Sequence, residues 1–163
     1  LAKLEATDYP SDNQPVAVDL MLLSIRNDAQ ALSADQLHRI SLEADPHLKL
    51  KGSEAELRSA FSNLVFNAVK YTPAGGEIRI RWWGDEKGAH LAVSDTGMGI
   101  DAKHLPRLTE RFYRVDTSRS REMGGTGLGL SIVQQIVTTH RGKVWAENRA
   151  EGGARFIVDL PAI

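Results

Sequence analysis

Glu56-Leu-Arg-Ser-Ala-Phe-Ser-Asn63-Leu-Val-Phe-Asn67-Ala-Val-Lys70-Tyr71 is the stretch on which the fold turns. Leu57, Phe61, Leu64 and Ala68 recur at helical spacing and form one apolar stripe. Ser53, with Glu56 three residues on, has the form of a capping box and marks the start. Pro73 disfavours helix at Thr72 and marks the end. Asn63 and Asn67 stand at i and i+4, so their amides share a face. That face lies about 100° round from the stripe, at the boundary of the core. Asparagine is a mediocre helix former, so two of them in mid-helix beside Lys70 need a reason. They cap a neighbouring loop, stand solvated, or bind something. Magnesium takes oxygen ligands, usually one or two protein groups plus waters and substrate phosphates. An Asn67 amide oxygen would supply such a ligand without adding negative charge, and Lys70, one turn on, could reach a phosphate oxygen.

Two glycine-rich turns follow. The first, Asp95-Thr96-Gly97-Met98-Gly99, comes directly after a strand candidate. It partly matches a dinucleotide-binding fingerprint, read as Gly97-x-Gly99-x-x-Ala102. That fingerprint wants a return strand and an acid about 20 residues on, whereas residues 103–123 hold no apolar strand run. Asp95 has another reading. A buried carboxylate at a strand end can accept a hydrogen bond from an exocyclic amine such as adenine N6, and glycines beside it let the backbone approach a flat base. The second turn, Gly124-Gly125-Thr126-Gly127-Leu128-Gly129-Leu130-Ser131, feeds an amphipathic helix over residues 131–140 with Ile132, Val133, Ile136 and Val137 on its apolar side. N–H groups at a helix start attract phosphate, and glycines let them come close. The bland reading is a flexible loop before a helix. A Walker-type pattern and the protein-kinase catalytic-loop motifs are absent.

Around these motifs the chain reads as ordinary globular sequence. It has 163 residues, 42% hydrophobic and 25% charged, which suits one domain with a real core. A net charge of −1 gives no global field for nucleic acid. The absence of cysteine excludes disulfides, thiol catalysis and Cys zinc sites, and fits a reducing compartment. Apolar runs fall far short of the ~20 residues of a membrane helix, and no secretory signal is visible. Leu1-Ala-Lys-Leu-Glu-Ala6 looks like the end of a helix, and residues 8–15, rich in Pro, Asp and Asn, read as a linker. The globular part is then expected over 16–163.

Within it, Val16 to Asp19 is a short strand candidate, and Leu20 to Leu32 a helix. Arg39 to Glu43 and Leu48 to Lys51 alternate as strands. Glu77 to Trp83 and His90 to Ser94 read as a hairpin, as do Lys143 to Glu147 and Ala154 to Leu160, with Gly152-Gly153 between the latter two. This pattern predicts an α+β two-layer sandwich, a mixed sheet of five to seven strands with three or four helices on one face. Trp82 and Trp83, adjacent on a strand, face opposite ways. The five histidines are scattered and read as structural. Residues 101–123 carry Arg107, Arg111, Arg114, Arg119 and Arg121, and read as a short helix and a cationic loop. Such a loop is either a solvated face or a lid closing on a triphosphate, with Arg119 and Arg121 nearest the second glycine turn.

Together these residues resemble the sensor histidine kinases. Asn63-Leu-Val-Phe-Asn67-Ala-Val-Lys70-Tyr71-Thr-Pro looks like their N box, Asp95-Thr-Gly-Met-Gly99 their G1 box, Glu110-Arg-Phe112-Tyr-Arg-Val-Asp116 their F box and Gly125-Thr-Gly127-Leu-Gly129-Leu their G2 box. The four stand in family order over roughly residues 16–161. The segment from Arg107 to Arg121 is especially similar to the phosphate-regulon members. The resemblance implies a Bergerat ATP-binding fold with a flexible ATP lid, and ATP and Mg2+ as cofactors. It implies Asn67 on Mg2+ with Asn63 assisting, and Lys70 with Arg114 or Arg121 on phosphates. Tyr71 would lie against the base and Asp95 would accept from adenine N6. Gly97, Gly99, Ile100, Gly125, Thr126, Gly127, Leu128, Gly129 and Leu130 would complete the nucleotide site, with Phe112 packing the lid.

No histidine here has the context of the family's phosphoacceptor, so residues 1–15 are expected to be the end of the dimerisation helix plus linker. The implied function is the catalytic part of an autokinase. It would transfer the ATP γ-phosphoryl to a His on a separate dimerisation domain, and so to a response regulator. The whole protein would be an inner-membrane homodimer with this part in the cytoplasm. Two other readings remain open: an ATP hydrolase of the same superfamily, and an ATP-binding regulatory module. The hydrolases carry a Glu where Asn63 stands. An amide cannot take a proton at neutral pH, which favours transfer.

Overall fold

A computed structural model describes residues 14–97 and 128–161. Five strands form the main sheet in the order β2-β4-β5-β7-β6. They are β2 (Arg39–Ala44), β4 (Glu77–Asp85), β5 (Gly88–Asp95), β6 (Lys143–Asn148) and β7 (Ala154–Leu160). β2 runs parallel to β4 and every other pairing is antiparallel, so the sheet is mixed. Among the described residues the α-helices are α1 (Val18–Ser33), α2 (Glu54–Tyr71) and α3 (Leu128–Thr139). A separate two-stranded ribbon pairs β1 (Gln14–Val16) with β3 (Leu50–Gly52).

Strand alternation decides which face is covered. In β4, Ile78, Ile80 and Trp82 point into the core, while Arg79 and Arg81 point out. Met21, Leu22, Ile25 and Ala29 of α1 meet that inner face, as do Leu57, Phe61, Leu64 and Val65 of α2 and Val133 and Val137 of α3. The result is two layers with helices on one side, the expected α+β sandwich. Phe61 and Trp82, both fully buried, pack with ring centroids 6.4 Å apart. Truncating either to alanine would cost about 3–5 kcal/mol.

Several boundaries differ from the sequence expectation. The strand expected over Val16 to Asp19 is Gln14–Val16, because its extent is set by pairing with β3; Val18 already opens α1 and is fully buried there. The strand expected from Leu48 starts at Leu50. Leu48 closes a turn on the Asp45 carbonyl, and its own carbonyl accepts from the Trp82 indole N–H at 3.4 Å. The strand expected over Arg39 to Glu43 runs to Ala44. Trp82 is the core member of the tryptophan pair. Trp83, on the other face, is half-buried, 5.3 Å from the His90 ring and capped by the Arg81 guanidinium at 4.5 Å.

Candidate functional site

α2 starts and ends where its sequence dictates. Ser53 Oγ accepts from the Glu56 amide at 3.3 Å, the forward half of the capping box. The reverse half is replaced: the Ser53 amide donates to His140 Nε2 at 3.2 Å. At the other end Thr72 is extended, φ −101° and ψ 127°, as Pro73 requires. Between them, Asn63, Asn67, Lys70 and Tyr71 are all half-buried. Among the described residues Asn63, Asn67 and Lys70 make no side-chain hydrogen bond or ion pair. Two uncommitted amide oxygens on one face suit a hard cation, which prefers oxygen donors. Among the described residues no group of three His, Asp or Glu side chains could hold a metal.

The C-terminal end of α2 is anchored beside Asp95. His38, buried, lies 2.7 Å through Nε2 from the Thr72 carbonyl and 2.8 Å through Nδ1 from Ser33 Oγ. A carbonyl only accepts, so Nε2 carries the proton and Nδ1 receives the serine hydroxyl. Gly97 then lies against the helix end. A Cβ there would stand 2.8 Å from the Tyr71 carbonyl oxygen and 3.1 Å from Asp95 Oδ1, so only glycine lets the turn pass this close.

Asp95 closes β5 and is 7% exposed. Its Oδ1 accepts from the Gly97 amide at 2.9 Å and the Ala154 amide at 3.1 Å. Both bonds fall on one oxygen, and among the described residues Oδ2 has no partner, which leaves it as acceptor for a donor from outside. Burial pushes the carboxyl above its ordinary range, against the pull of the two amides and of Arg149.

α3 brings in the second glycine motif. It packs against α2, and His140, just past its end, meets Ser53 at the start of α2, so the two helices run in opposite directions. At about 1.5 Å per residue, α3 reaches back along α2 to the level of Asn63 and Asn67. Its N-terminus, the phosphate-attracting end, therefore opens on the asparagine half of α2. Leu128 and Gly129 begin this helix, and Leu130 packs against the core. Asn63, Asn67, Lys70 and Tyr71 thus lie on the C-terminal half of α2, whose end meets Gly97 and Asp95, and α3 runs back along the same helix from Ser53. Gly99, Ile100, Arg114, Arg121, Gly125, Thr126 and Gly127 lie outside the described residues, as do Phe112 and the rest of the arginine-rich segment. His38, His140 and Arg149 were not legible as supports of this site. Their partners are 34 to 87 residues away in sequence, and no local pattern marks such pairs.

Comparison with known proteins agrees with this geometry. The profile of the family described as histidine kinase-, DNA gyrase B- and HSP90-like ATPase matches residues 52–163. The chain is 70% identical to the phosphate regulon sensor protein PhoR of Pseudomonas aeruginosa over 96% of its own length and 35% of that protein's. It thus spans about a third of that relative. Among solved structures it is similar to the mycobacterial sensor histidine kinase MprB, with TM-score 0.80 and 27% identity, covering 92% of this chain and 97% of that one. It is also similar to the ATP-binding domain of PrrB from Mycobacterium tuberculosis, with TM-score 0.74 and 29% identity over 93% and 98% of the two chains. The family profile covers more than half of the chain, and the chain belongs to the histidine kinase-, DNA gyrase B- and HSP90-like ATPase family.

Proposed function

We propose that this chain is the ATP-binding catalytic domain of a sensor histidine kinase of the phosphate-regulon type. One observation carries the reading. The uncommitted Asn63, Asn67 and Lys70 stand on α2, beside the glycine-led start of α3, and the end of that helix abuts a buried Asp95 with one free oxygen. Asp95 Oδ2 accepts from the adenine amine and Tyr71 lies against the base. The amides before and at the head of α3, Gly125 to Leu130, cradle phosphates with Lys70 and Arg114 or Arg121. Gly97, Gly99 and Ile100 line the base. The free amide oxygens fit Mg2+, held by Asn67 with Asn63, and the ion when bound neutralises phosphate charge.

Phosphoryl transfer needs positioning and charge stabilisation more than covalent help from the protein. In the proposed reaction an imidazole nitrogen of a His on the dimerisation domain attacks the γ-phosphorus. The bridging P–O bond breaks, ADP leaves, and the phosphoryl group passes on to a response-regulator Asp. Asn63 supports transfer over hydrolysis, because an amide cannot deprotonate an attacking water. The whole protein would be a membrane-bound homodimer acting in phosphate-starvation signalling, with this domain in the cytoplasm. Residues 1–15 would join it to the dimerisation helix.

Titration calorimetry tests the site. ATP binding should need Mg2+ and be largely lost in Asn67→Asp and in Asp95→Asn; unaltered binding in both overturns the assignment. With labelled ATP the chain alone should stay unlabelled, while a His-bearing dimerisation domain added in trans should take up label. Steady hydrolysis well above background would favour a hydrolase instead.

A further inference from the structure

Asp95 has a support that lies in none of the motifs. The turn between β6 and β7 closes on itself: the Arg149 amide donates to the Gly153 carbonyl at 2.9 Å, and the Gly152 amide to the Arg149 carbonyl at 3.1 Å. Gly153 has φ +89°, and a Cβ there would collide with the Asp95 carbonyl. The turn therefore lies directly on the Asp95 backbone. From it Arg149 reaches across, its side chain only 15% exposed, and donates from Nη1 to the Asp95 carbonyl oxygen at 2.7 Å. Nη2 lies 3.6 Å from the Glu151 carboxylate, and Nε is buried without a partner.

The β5–β7 ladder explains why the carbonyl is open to this contact. Its last register pair is Ser94 with Arg155, so Asp95 would next face Ala154. The Ala154 amide instead turns to Asp95 Oδ1, and the guanidinium takes the carbonyl. One turn thus grips Asp95 twice, by side chain and by backbone. A half-buried guanidinium with its Nε left unpaired is a costly way to hold a hairpin, and an apolar side chain would serve packing better.

We infer that Arg149 is a positioning residue for base recognition: by holding the Asp95 carbonyl it fixes where Oδ2 points, and so sets the preference for purines that carry a 6-amino group. The inference rests on the reading of Asp95 as the adenine acceptor. A hydrogen bond weakens steeply once its angle opens, so an Asp95 free to rock loses the amine contact before it loses anything else.

The test compares Mg-ATP with purine riboside triphosphate, the same nucleotide without the amine, on the wild-type chain, Arg149→Met and Asp95→Asn. A hydrogen bond to a charged group is worth roughly tenfold or more in affinity, so the wild type should prefer ATP by about that factor. R149M should weaken ATP several-fold and leave the analogue unchanged, so that the preference collapses. Equal loss for both nucleotides marks a merely structural role and overturns the inference, as does a preference kept intact. Should R149M not fold, Arg149→Lys, which keeps charge but not the planar fork, carries the same comparison. A wild type with no preference fails the Asp95 reading itself, and is thereby distinguished from a failure of Arg149 alone.

Discussion

His140, one residue beyond α3, accepts a hydrogen bond at Nε2 from the backbone amide of Ser53, the N-cap of α2, while its Nδ1 lies 2.8 Å from the Ile136 carbonyl. The carbonyl can only accept, so Nδ1 bears the proton and Nε2 is the free lone pair that α2 uses. One imidazole therefore ties the helix that carries Asn63 and Asn67 to the helix proposed to face the phosphates. His140→Ala strands the Ser53 amide and should lower stability by about 1–3 kcal/mol. Urea denaturation at neutral pH measures this; an unchanged midpoint would show that water replaces the ring at no loss.

Asp95 should show a conflict between stability and function. Its folded-state pKa lies above the ordinary 3.8, with burial as the main cause. The folded state then holds the proton more tightly than the unfolded one. Asp95 favours folding at low pH, and that favour fades as pH climbs from the ordinary value through the raised one. At neutral pH the ionised carboxylate is a net burden on the empty domain. Asp95→Asn keeps an oxygen for the Gly97 and Ala154 amides and removes the buried charge. Its melting temperature without nucleotide should rise, and ATP binding should fall. A lower melting temperature at neutral pH contradicts this.

On the open face of the sheet, His90 of β5 sits between two carboxylates, 2.8 Å from Asp85 Oδ1 and 2.7 Å from Asp159 Oδ1. Burial of the ring opposes its charge, but the two hydrogen bonds outweigh burial and hold its pKa above the ordinary value. The stabilisation is complete below about pH 6.5 and is lost as pH rises through the raised value. Thermal melts of the wild type should decline as pH rises above about 6.5, and His90→Gln should flatten that slope. Solvent and salt screen this face, so added salt should shrink the difference. A slope that survives in H90Q assigns it to another group.

The elements that sequence located best are those whose cause is local. α2 is bounded at both ends by a serine cap and a proline, and β7 at its start by a double glycine. Strand ends set by a partner were missed by about two residues, as at β1 and β3, because pairing across the chain, not propensity, stops them. The site divides in the same way. Asn63, Asn67 and Asp95 stand out because their residue types are odd for their positions. Arg149 looked like any loop arginine, and the His38 and His140 contacts exist only after folding brings distant residues together. Gly152-Gly153 was legible as a turn, but not as a turn resting on Asp95.

The asparagine pair should be dispensable to the fold and indispensable to binding. Neither amide bonds to another described residue, so removing one strands no partner among them. Alanine is the better helix former by up to about 0.7 kcal/mol per residue. Both sites are half-buried at the edge of the core, beside Leu64 and Ala68, so truncation opens little cavity. Asn63→Ala and Asn67→Ala should each leave the urea midpoint unchanged or slightly raised, and Mg-ATP affinity should drop, more for Asn67 as the main oxygen donor. Repeating the titration in EDTA sharpens the assignment. If Asn67 acts through the metal, wild type and N67A should converge once Mg2+ is removed. A difference between them that persists in EDTA would mean that the amide touches the nucleotide directly.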